Sequence, residues 1–208
     1  MPTSTRRRRD LTRDRVVERA LELADEEGID AITMRRLGSL LGVEGMALYT
    51  HVRDKDDLLS AVGARLLDKL ELEPRAYDDW RGRIESVARA WSGLRAQHPR
   101  SFPLVFRAGA HVLPLTEEMM DALQTGGFRG RSAWLAYQTL IFFLDAPLLR
   151  WPPIAPGPLW SEAVQQLDPA EARHFVSLAP HASSYSWDDV YESGLRLLLD
   201  GLEAQLTG

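Results

Sequence analysis

The 208-residue chain has no cysteine. That excludes a disulfide framework, thiolate metal ligation and thiol nucleophiles. Long apolar runs are also missing. The most apolar stretch, 133–144, is interrupted by Tyr137, Gln138 and Thr139 and is shorter than the roughly 20 residues a membrane span requires. No membrane partner is expected. The histidines are His51, His98, His111, His174 and His181, and no two stand at the i, i+4 spacing of a helical zinc pair. No glycine-rich phosphate loop or nucleophile elbow is present. His181 lies near Ser183 and Ser184 in a stretch that reads as loop rather than triad. Catalytic residues, metal and cofactor are therefore not expected. The arginine run at 6–9 leads into Asp10, Leu11, Thr12 and Arg13 rather than an apolar segment, so no secretory leader is read and a cytoplasmic location is expected.

The charge is unevenly placed. The net charge is −5. Residues 1–56 hold 11 basic and 11 acidic side chains, so the whole excess of acid lies in 57–208. A neutral segment with an arginine cluster at one end, joined to an acidic body, suits a nucleic-acid-binding head on a body that binds something else. The run at 6–9 reads either as a solvated tail or as a tail that orders on phosphate.

Residues 33–59 organise the rest. Leu37, Leu40, Leu41, Val43 and Leu48 supply the apolar contacts of two short helices around a turn. Gly42 stands where the first must stop, and a second helix is expected over about 44–51. Ahead of them, 12–27 is amphipathic through Val16, Ala20, Leu23 and Ala24, with Thr12 as N-cap and Gly28 as terminator. This is a helix-turn-helix within a three-helix head.

The remainder also reads as helical. Asp54 caps a long helix to about Leu72, closed by Pro74. Helices are expected from Asp78 or Asp79 to Gln97, over 101–108 with Pro103 in its first turn, and over 116–125. A helix over 129–150, ended or kinked by Pro147, is apolar on most sides and expects burial all round, partly by a second subunit. A proline-rich loop covers 151–158. A short helix over 169–178, capped by Asp168, and a last helix over 188–206 complete the chain. No strand pattern appears. The fold class is all-α, with a head at 10–56 and a larger helical body at 57–208.

On Thr33, Arg35, Leu37, Leu41-Gly42-Val43, Ala47-Leu48-Tyr49, His51-Val52, Lys55 and Leu58-Leu59, the sequence resembles TetR-type transcriptional regulators. Glu44 and His51-Val52 bring it closer to the tetracycline-repressor branch. The motif covers about a quarter of the chain. The resemblance implies a homodimer through the last two long helices, double-stranded operator DNA as partner, and a small-molecule effector in the body. It implies that Tyr49, His51 and Lys55 touch phosphates, which positions without reading sequence.

Base reading would fall to Arg35, through a bidentate contact to guanine, and to Met46, Ala47 and Thr50 through apolar or hydroxyl contacts. Thr33 and Gly45 complete the expected DNA-binding set. Gly45, Met46 and Thr50 depart from the tetracycline repressor, so a different operator is expected. Arg36 reads equally as a solvated charge. Trp91, Phe102, Phe106, His111, Trp134, Tyr137, Gln138 and Phe142 are candidates for a ligand-lined wall, each also explicable as core packing. The family's metal-binding histidines have no clear counterpart around Glu71 and His111, so magnesium–tetracycline is not the expected ligand. Two other readings stay open: an all-α binder or enzyme that uses the N-terminal unit to dock a protein, and a DNA-binding regulator without ligand.

Overall fold

The computed structural model describes residues 11–72, 79–146 and 186–207, with the single positions 173, 177 and 181. Among them all regular structure is helical. The arginine run at 6–9, Pro74 and Asp78, Pro147, the loop at 151–158 and the body of the helix expected over 169–178 lie outside the described residues. The chain forms two compact units, Met1–Gly126 and Gly127–Gly208. The first joins the expected head to the early part of the expected body.

In the first unit, α1 (Arg13–Glu27) buries Val16, Val17, Ala20, Leu21, Leu23 and Ala24, one stripe at helical spacing. The Thr12 hydroxyl accepts from the Arg15 N–H at 3.2 Å and satisfies one orphan donor of the first turn. The helix α2 (Met34–Leu41) is capped the same way, Thr33 accepting from the Arg36 N–H at 3.2 Å. Gly42 ends it in the left-handed conformation, φ 70°, which a side chain would resist. The next element, Gly45–Thr50, is a 3-10 helix rather than the α-helix expected over 44–51. Six residues cannot offset the entropy of nucleating an α-helix, and the tighter i to i+3 bonds close instead, as in His51 N–H to Leu48 O at 2.9 Å.

The helix α3 (Lys55–Leu67) starts at its cap Asp54, whose carboxylate accepts from the Asp57 N–H at 2.7 Å. It ends at Leu67, five residues before the expected Leu72. It buries Leu58, Leu59, Val62 and Leu66. The helix α4 (Trp80–Gln97) buries Ile84, Val87, Ala88, Trp91 and Leu94.

The helix expected over 101–108 is instead a 3-10 segment, Phe102–Arg107, and a second one, Gly109–Val112, follows it. Gly109, at φ 60°, turns the chain, so the run does not continue as one helix. The helix α5 (Leu113–Thr125) begins three residues before the expected Thr116. Pro114 stands in its first turn, where its missing N–H costs nothing. Arg83 of α4 joins α5 through Glu118 at 2.8 Å and Asp121 at 2.7 Å.

In the second unit, α6 (Gly130–Asp145) buries only Ala133, Ala136, Leu140 and Leu144. The expected burial on all sides does not occur within this chain. Trp134 is 53% exposed and Phe142 70%. The helix α7 (Trp187–Thr207) buries Tyr191, Leu195, Leu199 and Leu202 on one stripe. Its cap is Ser186, two residues before the expected start. The Asp189 N–H donates to the Ser186 hydroxyl at 3.1 Å, and the Ser186 N–H donates back to the Asp189 carboxylate at 2.7 Å. Phe143 stacks on Tyr191 at 5.4 Å, over Gly194, where a Cβ would sit 2.8 Å from the Phe143 ring.

Candidate DNA interface

The helix-turn-helix pair crosses backbone to backbone. A Cβ on Gly38 would stand 2.8 Å from the Gly45 nitrogen and 2.9 Å from its Cα. A Cβ on Gly45 would stand 2.9 Å from the Met34 carbonyl oxygen. Real Cβ atoms do not approach so closely. Leu37 and Leu48, both wholly buried, fill the angle beside this crossing. Leu40 does not: it is 40% exposed, and Leu41 and Val43 are half-buried. An eight-residue helix has little more than one inward stripe, and Leu37 and Gly38 occupy it. Gly45 was expected among the DNA-binding residues. Here it serves the crossing, and Gly38, which the sequence did not single out, serves it equally.

A second device fixes the far end of Gly45–Thr50, the candidate recognition segment. Arg13 of α1 makes a bidentate pair with Asp57, Nη1 to Oδ2 at 3.0 Å and Nη2 to Oδ1 at 3.2 Å. The same Nη1 donates to the His51 carbonyl at 2.8 Å. The Arg53 N–H donates to Asp57 Oδ2 at 2.9 Å. One carboxylate thus ties the start of α1, the end of the recognition segment and the first turn of α3. The Arg13 hydrogen bonds, then the Arg53 backbone bond, hold the Asp57 carboxyl well below the usual carboxylate range. The other pairs from α1 to this region, Arg65 with Asp14 at 3.4 Å and with Glu18 at 3.6 Å, and Lys69, just past α3, with Glu18 at 3.3 Å, use carboxylates far more exposed than Asp57. Such surface pairs contribute little, so the Asp57 clasp dominates.

The clasp has a testable pH signature. Asp57→Asn should lower stability at pH 7 by about 2 kcal/mol, the scale of hydrogen bonds to a charged group. The folded-state pKa lies below the unfolded value of about 4. The stabilisation is therefore complete above that value and is lost as pH falls from it toward the folded pKa. Urea melts of parent and variant should differ most near neutrality and converge in acid. A gap that stayed constant with pH would refute the assignment.

Around this frame, Arg35, Met46, Tyr49, Thr50 and Lys55 are exposed, His51 is half-buried, and Ala47 is half-buried. The Thr33 hydroxyl is engaged as a cap. The Thr50 hydroxyl donates to the Ala47 carbonyl at 2.7 Å. Arg36 pairs with Glu27 at the surface.

The candidate ligand wall is divided between the units. In the first, Trp91 and Phe102 meet edge to face at 5.0 Å, Phe102 with no exposed surface, while Phe106 and His111 are exposed. In the second, Trp134 lies 5.7 Å from Tyr137, with Gln138 and Phe142 exposed. A shallow open groove on α7 is lined by Asp189, Val190, Ser193, Gly194 and Leu197, none of them expected from the sequence. Among the described residues no three potential ligands cluster to hold a metal, and no helix is long and apolar enough to cross a membrane.

The family model for bacterial regulatory proteins of the tetR family matches residues 16–62, the segment that holds the Gly38–Gly45 crossing and Asp57. The class A tetracycline repressor from transposon 1721 of Escherichia coli is 29% identical over 90% of this chain and 88% of its own. The structure superposes on apo ActR of Streptomyces coelicolor with a TM-score of 0.80, at 27% identity, over 95% of this chain and 97% of that one. Residues 16–62 carry a TetR-family regulatory domain, and along nearly its whole length the chain resembles TetR-family transcriptional regulators. The relatives it resembles are transcriptional regulators and not enzymes. ActR has also been solved in complex with actinorhodin, and that complex superposes with a TM-score of 0.79 at 27% identity, over 95% of this chain and 99% of that one.

Proposed function

We propose that this TetR-family chain is a cytoplasmic repressor that binds a palindromic operator as a homodimer and is released by a small, largely apolar ligand. The observation that carries the reading is the exposed set Arg35, Met46, Tyr49 and Lys55, displayed by a frame whose own polar groups are satisfied internally. In a dimer, two such faces enter successive major grooves about 34–36 Å apart. Tyr49, His51 and Lys55 grip phosphates; Arg35 reads a guanine edge.

The head at 10–56 and the body at 57–208 are the functional division. The helix α3 runs from beside the DNA into the body and carries the signal between them. The homodimer forms through α6 and α7. Their outward apolar side chains, Trp134, Leu135, Phe142, Val190 and Leu197, are too exposed for an isolated chain in water. The ligand reading draws on aromatic and apolar side chains in the body and on ActR having been solved with actinorhodin. A polycyclic aromatic compound is the ligand class to try first. The ligand must favour one dimer conformer over another, or it shifts nothing.

The test is a gel shift with DNA from upstream of the chain's own gene at physiological salt. Sequence-selective, salt-dependent binding is expected. Arg35→Ala should weaken it about 10- to 100-fold, the span of a lost bidentate base contact. Sedimentation of the free protein should give a dimer, and a polycyclic aromatic library should contain compounds that release the DNA. No selective binding to any sequence would overturn the reading.

A further inference from the structure

Apart from the Tyr49 hydroxyl, assigned above to phosphate, the recognition segment offers base edges almost no hydrogen-bonding group. Gly45 and Ala47 have none, and Leu48 is wholly buried. The Thr50 hydroxyl proton is already donated to Ala47. On the helix before it, Arg36 is held by Glu27. What remains at the centre of the segment is Met46, 74% exposed and the most exposed large apolar side chain among the described residues.

An apolar side chain held in water without packing is unfavourable in the free protein. Its position makes sense if it is covered on binding. Among the four bases of unmodified DNA, only thymine carries an apolar group into the major groove, its 5-methyl. A flexible thioether adapts its shape to such a group.

We propose that Met46 reads the 5-methyl of one thymine in each half-site, and that this contact, beside Arg35, sets the operator preference. The inference rests on the DNA-binding reading above. It says that specificity at this position is hydrophobic and independent of any hydrogen bond.

The test starts from a duplex selected in vitro with the full chain. Each thymine is replaced in turn by deoxyuridine, which removes the methyl and keeps every hydrogen-bonding group. One position per half-site should lose about fourfold in affinity, the effect of one buried methyl, and both together about fifteenfold. Met46→Ala should bind more weakly and show no uracil penalty at that position. Met46→Leu should restore the penalty. The side chain is exposed, so both variants should melt with the parent.

Selective binding in which every thymine tolerates uracil within twofold would overturn the proposal and leave the DNA-binding reading intact. A full uracil penalty retained in Met46→Ala would do the same. Failure to select any sequence would remove the broader reading and this one together.

Discussion

Gly63→Ala is expected to destabilise the protein by about 3 kcal/mol, at the upper end of overpacking effects. Gly63 lies in the middle of α3, where alanine would by itself favour the helix by about 1 kcal/mol. Sterics reverse that preference. A Cβ there would fall deep inside contact distance of the Leu104 carbonyl oxygen, 2.9 Å from its carbonyl carbon and 3.2 Å from the Ala108 nitrogen. These are backbone atoms and cannot rotate away.

The segment Phe102–Arg107 would have to lift off α3, with Leu104 and Val105 leaving their buried positions. Two neighbouring ties would be strained in turn. Arg107 pairs with Asp56 at 2.8 Å. His98 Nδ1 lies 2.8 Å from Asp25 Oδ2, and Ser101 donates to the same carboxylate. For a chain of this length the loss corresponds to roughly 6–12 °C in melting temperature. Differential scanning calorimetry of parent and variant checks it; a shift under about 2 °C would show that the seam yields cheaply.

The second large effect is expected on DNA binding. Gly38→Ala should weaken operator affinity about 100-fold while costing only about 1–2 kcal/mol of stability. The added methyl meets Gly45 N, Gly45 Cα and the Val43 carbonyl oxygen, all within 2.9 Å. The recognition segment must therefore move outward relative to α2. The buried stripe of α1 and the core of α3 stay in place, so the unit still folds. Arg35 on one side of the crossing and Met46 on the other lose their mutual register, and a groove accepts both only at one spacing.

Fluorescence anisotropy against the selected duplex, with melting followed in parallel, separates the two quantities. Gly45→Ala should behave alike, since its methyl meets the Met34 carbonyl. Operator affinity within threefold of the parent in both variants would mean that the crossing does not set the reading geometry.

Much of the first unit was legible from sequence because its signals are local. Thr12, Thr33 and Asp54 each act as the N-cap their chemistry suggests, through a hydrogen bond to a backbone N–H three residues on. The α1 stripe follows from spacing alone. Helix ends carried by a proline were harder. Pro103 and Pro114 are both compatible with a first α-helical turn, yet one lies in a 3-10 segment and the other in α5. The run after Pro103 is cut short at Gly109, in the left-handed region, whereas α5 continues to Thr125.

The sequence by itself determined the all-α class, the helix-turn-helix and the family resemblance, because periodicity, caps and a long motif are properties of neighbouring residues. The tertiary structure decided which glycines are indispensable, since Gly38, Gly45 and Gly63 matter through atoms brought near by the fold. It also decided which arginine is held and which is free to reach DNA. Arg36 meets Glu27 and Arg13 meets Asp57, while Arg35 has no such partner among the described residues. Charge type is written in the sequence, but whether a charge is already neutralised depends on distances that only folding sets.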